Sequence, residues 1–146
     1  MLEYGMREAA GQRVEQHRRR RFERLVARAL DELPDEVLAM LDNVDVVVED
    51  EPTLEQVAAD RGRGDADDDR HQPTLFGLYE GVPLVERGQG YSLVLPDKIT
   101  IFRGPLERAF RSPQALMREV RVTVVHELGH HLGLDEDRLE ELGWAG

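Results

Sequence analysis

Apolar residues recur along this chain with two periods, and the switches between them divide it into elements. Phe22, Leu25, Val26, Ala29, Leu30 and Leu33 fall at steps of three and four, the spacing that lines one face of a helix. Pro34 ends that helix, and Val37, Leu38 and Leu41 predict a second, short one. Val44, Val46, Val47 and Val48 are β-branched and nearly continuous, which predicts a buried strand. Pro52 breaks it, and Thr53 is placed to cap a helix running through Ala59. Thr74 to Tyr79, Ser92 to Leu95 and Ile99 to Phe102 read as strands, with Gly81, Gly88 and Gly90 marking the turns. Pro105 opens a short helical segment that closes at Phe110.

Ser112 and Pro113 then form a helix start, with serine at the N-cap and proline in the first turn. Leu116, Val120, Thr123, Val124 and Glu127 follow at helical spacing, so this is a long helix with one face turned inward. Gly133 suits a left-handed C-terminal stop, and a last short helix is expected from about residue 136 to 142. The order fits an α+β layout, a small mixed sheet with the long helix packed on one face. No internal repeat is evident.

Two stretches fall outside this pattern. Residues 1–21 carry little apolar periodicity and are expected to form a frayed or disordered extension ahead of a domain spanning 22–146. Within it, His17 and Arg18 to Arg21 form a basic run, read as a solvated helix start with an acidic partner or nucleic acid as the alternative. Residues 60–72, D-R-G-R-G-D-A-D-D-D-R-H-Q, hold one alanine as their only apolar residue and read as a mobile loop. Its carboxylates lack the ordered spacing of an EF-hand, and His71 reads as a bystander there.

Composition narrows the chemistry. At 146 residues the chain suits one domain with a real core. It has no cysteine, so any transition-metal site must use His, Asp or Glu. No apolar run reaches membrane-spanning length and no signal peptide is visible, which predicts a soluble cytoplasmic protein. The formal charge of −11 argues against general nucleic-acid binding and favours holding a divalent cation.

The candidate chemistry lies in the last turns of the long helix: His126-Glu127-Leu128-Gly129-His130-His131-Leu132-Gly133-Leu134-Asp135-Glu136-Asp137. The segment opens with H-E-x-x-H. Residues four apart share a helix face, so His126 and His130 point the same way and can grip one zinc ion. Glu127 sits where it can act as general base on a metal-activated water. His131 is turned about a hundred degrees from His130 and reads as a packing residue rather than a ligand. After Gly133 the chain turns back and brings Asp135, Glu136 and Asp137 toward the histidines, where a third ligand is required. Asp135 also suits the N-cap of the last helix, and Glu136 and Asp137 suit its first turn.

His126 to Gly133 resembles the H-E-x-x-H-x-x-G core of the zincin metallopeptidases whose third ligand follows the glycine, the metzincins and Asp-zincins. The doubled His130-His131 and the tail Leu139-Glu140-Glu141-Leu142-Gly143 are closer to the small single-domain zincin-like metallopeptidases of actinobacteria and other bacteria. Leu41-Asp42-Asn43-Val44, Gly77-Leu78-Tyr79-Glu80-Gly81 and Leu95-Pro96-Asp97-Lys98-Ile99 resemble that family too, so the likeness covers about residues 22 to 146 apart from the stretch near 60 to 72. It implies a minimal zincin-like fold, one zinc ion and a peptide or protein substrate extended along a sheet edge.

By the family's spacing the third ligand falls on Glu136 where Asp-zincins carry aspartate, with Asp137 and then Asp135 as the alternatives. The metzincin methionine beneath the site has no counterpart, since Met117 is the last methionine; Trp144 is the only large aromatic after the motif. Tyr79, Tyr91 and Arg103 are the candidates for oxyanion stabilisation. The leading expectation is a zinc-dependent metallopeptidase. A catalytically weak or inactive zincin-fold binding protein is the alternative, and a metal-dependent RNA hydrolase, disfavoured by the acidic balance, is the third.

Overall fold

The computed structural model describes the backbone of residues 2–63, 75–81 and 96–141, with side chains at 7–61, 75–81, 96–135 and 137–141. The helices are α1 (Leu2–Asp31), α2 (Asp35–Met40), α3 (Leu54–Arg63), α4 (Arg103–Ala109), α5 (Pro113–His131) and α6 (Glu136–Glu141). The strands are β1 (Val44–Glu49), β2 (Gly77–Glu80) and β3 (Asp97–Phe102). Among the described residues they form one mixed sheet in the order β1-β3-β2. β1 runs parallel to β3, with Val46 opposite Ile99, and β2 runs antiparallel, with Tyr79 opposite Ile99. This is the α+β arrangement that the order of elements predicts.

Side chains alternate across a strand, so the register fixes which residues meet the helices. Val46, Tyr79 and Ile99 share one face, and Val48, Gly77 and Ile101 lie beside them on it. Helix α5 packs on that face. Its Leu116, Val120, Thr123, Val124 and Leu128 are buried, and the four apolar ones join Ile99, Ile101 and Tyr79 with Phe22, Val26 and Ala29 of α1 in one core. Burial of each such Val or Leu is worth about 1.5–3 kcal/mol. Among the described residues no helix is long and apolar enough to cross a membrane.

Local signals behave as the sequence implies. Ser112 Oγ accepts the Ala115 amide at 3.1 Å and caps α5. Thr53 and Gln56 exchange hydrogen bonds, Thr53 Oγ1 accepting the Gln56 amide and Gln56 Oε1 accepting the Thr53 amide, which makes a capping box at α3. That helix continues to Arg63, so the start of the expected 60–72 loop is helical. The rest of that loop with His71, the expected strand at Ser92 to Leu95, Tyr91 and Trp144 lie outside the described residues.

Helix α1 departs from expectation. It runs for 30 residues from Leu2 rather than starting near Phe22. Its N-terminal half has charge where apolar periodicity is missing. Arg103, with a side chain only 11% exposed, meets Glu15 at 3.0 Å, Asp50 at 2.9 Å and Glu107 at 2.8 Å, tying α1 to the ends of β1 and β3. Burial alone would lower the Arg103 guanidinium, but the hydrogen bonds to Asp50 and Glu15 outweigh it and hold it above its ordinary value. Arg19 donates to the Val48 carbonyl at 2.7 Å, so α1 also covers the outer edge of the sheet. Arg103 is thus a structural hub, engaged by three carboxylates at the end of β3 opposite Asp97, and it is not placed to stabilise an oxyanion near the histidines.

Helix α5 comes close to the sheet at Gly77. A methyl group there would lie 2.5 Å from Thr123 Cγ2 and 3.0 Å from the Thr100 carbonyl oxygen. Gly77→Ala should therefore destabilise the protein by about 1–3 kcal/mol, as overpacking does, measured by urea denaturation. Because the tighter clash is with the threonine methyl, adding Thr123→Ser should recover part of that loss, a positive coupling readable in a double-mutant cycle.

Candidate metal centre

Helix α5 delivers the motif as its spacing demands. The His126 and His130 rings lie on one face, centroids 6.4 Å apart and 19° from parallel, with His126 half-buried and His130 exposed. Both are therefore reachable from solvent, as ligands of an exchangeable metal with an open position must be.

Glu127 points to the sheet. Its Oε1 accepts the backbone amide of Tyr79 at 2.8 Å. Among the described residues β2 is the last strand on this side, and the Tyr79 amide points away from β3 toward α5. The carboxylate of the motif thus bridges helix α5 and strand β2.

Tyr79 fixes a second contact on the same helix. Its ring stacks on His131, centroids 4.0 Å apart and 14° from parallel, and its hydroxyl donates to Asp97 Oδ2 at 2.6 Å. His131 Nε2 lies 3.9 Å from the same carboxylate oxygen. His131 packs beside the pair formed by His126 and His130 instead of joining it. The roles of Tyr79 and Asp97 as partners of the motif helix were hidden in the sequence. The signal that could have found them was the diagonal neighbourhood of the two residues in an antiparallel pair, which requires the register to be known. Tyr79, an oxyanion candidate by type, has its hydroxyl committed to Asp97.

The turn after the motif closes in a Schellman arrangement. Leu134 donates to the Gly129 carbonyl at 2.8 Å and Gly133 donates to the His130 carbonyl at 3.1 Å. Gly133 has φ 78°, in the left-handed region that glycine adopts without strain. The reversal sets α6 against α5, where fully buried Leu139 fills the space above Gly129; a methyl group at 129 would come within 2.9 Å of it.

Of the three carboxylates expected near the histidines, the side chains of Asp135 and Asp137 are described. Asp135 is the N-cap of α6, its Oδ1 accepting the Arg138 amide at 2.8 Å. Glu136 and Asp137 open the helix, and the Asp137 side chain is exposed; that of Glu136 lies outside the described residues. Among the described residues no three His, Asp or Glu side chains are grouped to hold a metal. The two imidazoles share one face of α5 and are of the type that holds zinc.

No curated protein matches this chain. A family model described as zincin-like metallopeptidase matches residues 41–144, from the residue after α2 to beyond α6, taking in the whole sheet, the motif and the turn that follows it. With that match covering most of the chain, the protein belongs to the zincin-like metallopeptidase family.

Proposed function

We propose that this protein is a zinc-dependent peptidase that hydrolyses a peptide bound beside β2, the last strand of the sheet among the described residues. The observation that supports the reading most directly is the hydrogen bond from the Tyr79 amide to Glu127, which places the motif's carboxylate beside β2, where an extended chain would add. His126, His130 and Glu136 would hold the metal. When bound, zinc supplies a water of lowered pKa and polarises the scissile carbonyl.

The rest is work for the chain itself. A peptide carbonyl that accepts the Tyr79 amide displaces Glu127 Oε1 and aligns the substrate in the same step. The displaced carboxylate then takes a proton from the attacking water and passes it to the leaving amine. Until then the amide holds Glu127 beside β2. Tyr79, locked through its hydroxyl to Asp97 and through its ring to His131, is a positioning residue: it keeps β2 in register with the end of α5. A zincin-fold protein without catalysis is the second reading. Its motivation is the glutamate at the third-ligand position, where Asp-zincins carry aspartate, and the lack of a methionine after Met117.

Three measurements test this. Glu127→Gln keeps an oxygen for the Tyr79 amide but cannot take a proton; it should retain zinc and lose peptide hydrolysis by about two orders of magnitude or more, and loss of metal in that variant would refute the assigned role. In a calorimetric zinc titration of chelator-stripped protein near neutral pH, one-to-one binding that collapses in Glu136→Ala identifies the third ligand. Binding that survives moves the ligand to Asp137 or Asp135, and no binding in the parent favours the non-catalytic reading. Finally, Asp135→Ala should cost about 1 kcal/mol of stability through the lost cap, while Asp135→Asn, which still caps, should keep both stability and zinc affinity. A drop in zinc affinity for asparagine alone would make Asp135 a ligand.

A further inference from the structure

The acidic total charge conceals a segregated one. Helix α1 carries eight arginines against five acidic residues in a chain whose formal charge is −11. The basic run at Arg18 to Arg21 is only part of the pattern. Arg13, His17, Arg21, Arg24 and Arg28 fall at helical steps of three and four, and Arg20 lies one turn before Arg24, so the six line one stripe of α1. All six are exposed, and the stripe lies opposite Phe22, Val26 and Ala29, the buried residues that fix α1 to the core. No acidic residue falls on this stripe between Arg13 and Arg28.

Pairing separates this face from its neighbours. Arg18 is bound to Glu15, and Arg19 to Glu23 and Asp50. Among the described residues none of the five stripe arginines has an ion pair. Five like charges on one face repel, and nothing on the face itself offsets this. The stripe from Arg13 to Arg28 extends about 22 Å at the helical rise of 1.5 Å per residue. It lies wholly outside the matched stretch 41–144 and on the side of α1 turned away from α5.

We infer that this face is a binding surface for the phosphate backbone of nucleic acid, read without base sequence. Guanidinium groups pair with phosphate through two parallel hydrogen bonds. A duplex presents one negative charge about every 1.7 Å of axis, so a row of this length finds partners at any position along it. An acidic peptide would have to offer five carboxylates in matching register. A membrane surface would call for an apolar flank to insert, and Val14 is the only large hydrophobic residue exposed on the described part of α1. The acidic remainder of the molecule repels the same backbone and so confines contact to α1, leaving His126 and His130 uncovered.

The test is fluorescence anisotropy of a labelled 20-base-pair DNA duplex titrated with the full-length protein in 50 and 200 mM salt. Neutralising five phosphates predicts a slope of log affinity against log salt near −4.5, a loss of about 500-fold between the two conditions. Arg20→Glu with Arg24→Glu should weaken binding at 50 mM salt by at least about tenfold and reduce the slope by about two. Both positions are exposed, so circular dichroism should be unchanged. Arg111→Glu, an exposed arginine away from α1, should bind as the parent does. The proposal fails if the parent does not bind at 50 mM salt, or if the double reversal binds like the parent. It also fails if polyglutamate binds as tightly as the duplex, which would assign the face to an acidic peptide. Low-salt self-association that the reversal abolishes and the duplex does not compete away would assign it to a second copy and overturn it equally.

Discussion

The contact between helix α5 and strand β2 is the constraint on which the site depends. Three interactions make it, all from a four-residue strand: the absent side chain of Gly77 under Thr123, the Tyr79 amide on Glu127, and the Tyr79 ring on His131. The first sets how closely the helix approaches, the second where its carboxylate points, and the third how its final turn is rotated. Apolar burial along Val120, Val124 and Leu128 supplies most of the adhesion but is tolerant of small rotations. The polar contacts are not, because a hydrogen bond weakens steeply with angle and distance. Orientation of the motif is therefore held by a few directional contacts laid over a broad hydrophobic one.

How much of this was legible in the sequence follows from how far apart the partners lie. The ends of α5 are encoded within four residues, by Ser112 reaching Ala115 and by Gly133 accepting a left-handed turn, and both could be read directly. The shared face of His126 and His130 is equally local. Tyr79 and Glu127 are 48 residues apart, and nothing at either position announces the other. Asp97 looks like one more surface carboxylate until the register of β2 on β3 sets it diagonally beside Tyr79. Arg103 misleads in the opposite sense: its type suits an anion site, but Glu15, Asp50 and Glu107 consume it.

Helix α1 shows a different limit. Apolar periodicity reports a helix only where the helix touches a core, so it ends at Phe22 and misses the rest. Beyond that point the helix is supported by charge, through Glu15 on Arg103 and Arg19 on the β1 edge, and these partners are far away in sequence. Net charge misleads for a related reason. It sums over the chain, whereas a ligand meets one face at a time, and screening beyond about 10 Å lets faces of opposite sign coexist on one small protein.

Helix α6 has only six residues, too few to persist alone, and is held by the buried Leu139 and by the cap at Asp135. In the proposed site this helix carries the third donor, so part of the zinc affinity is the free energy of keeping α6 docked. Natural variation at a core leucine, or at the glycine beneath it, would then set how tightly the protein retains its metal without altering a single ligand. Such a protein can be tuned, or silenced, by changes that leave its motif intact, and a conserved motif alone would not distinguish an active member of the family from one that has stopped holding zinc.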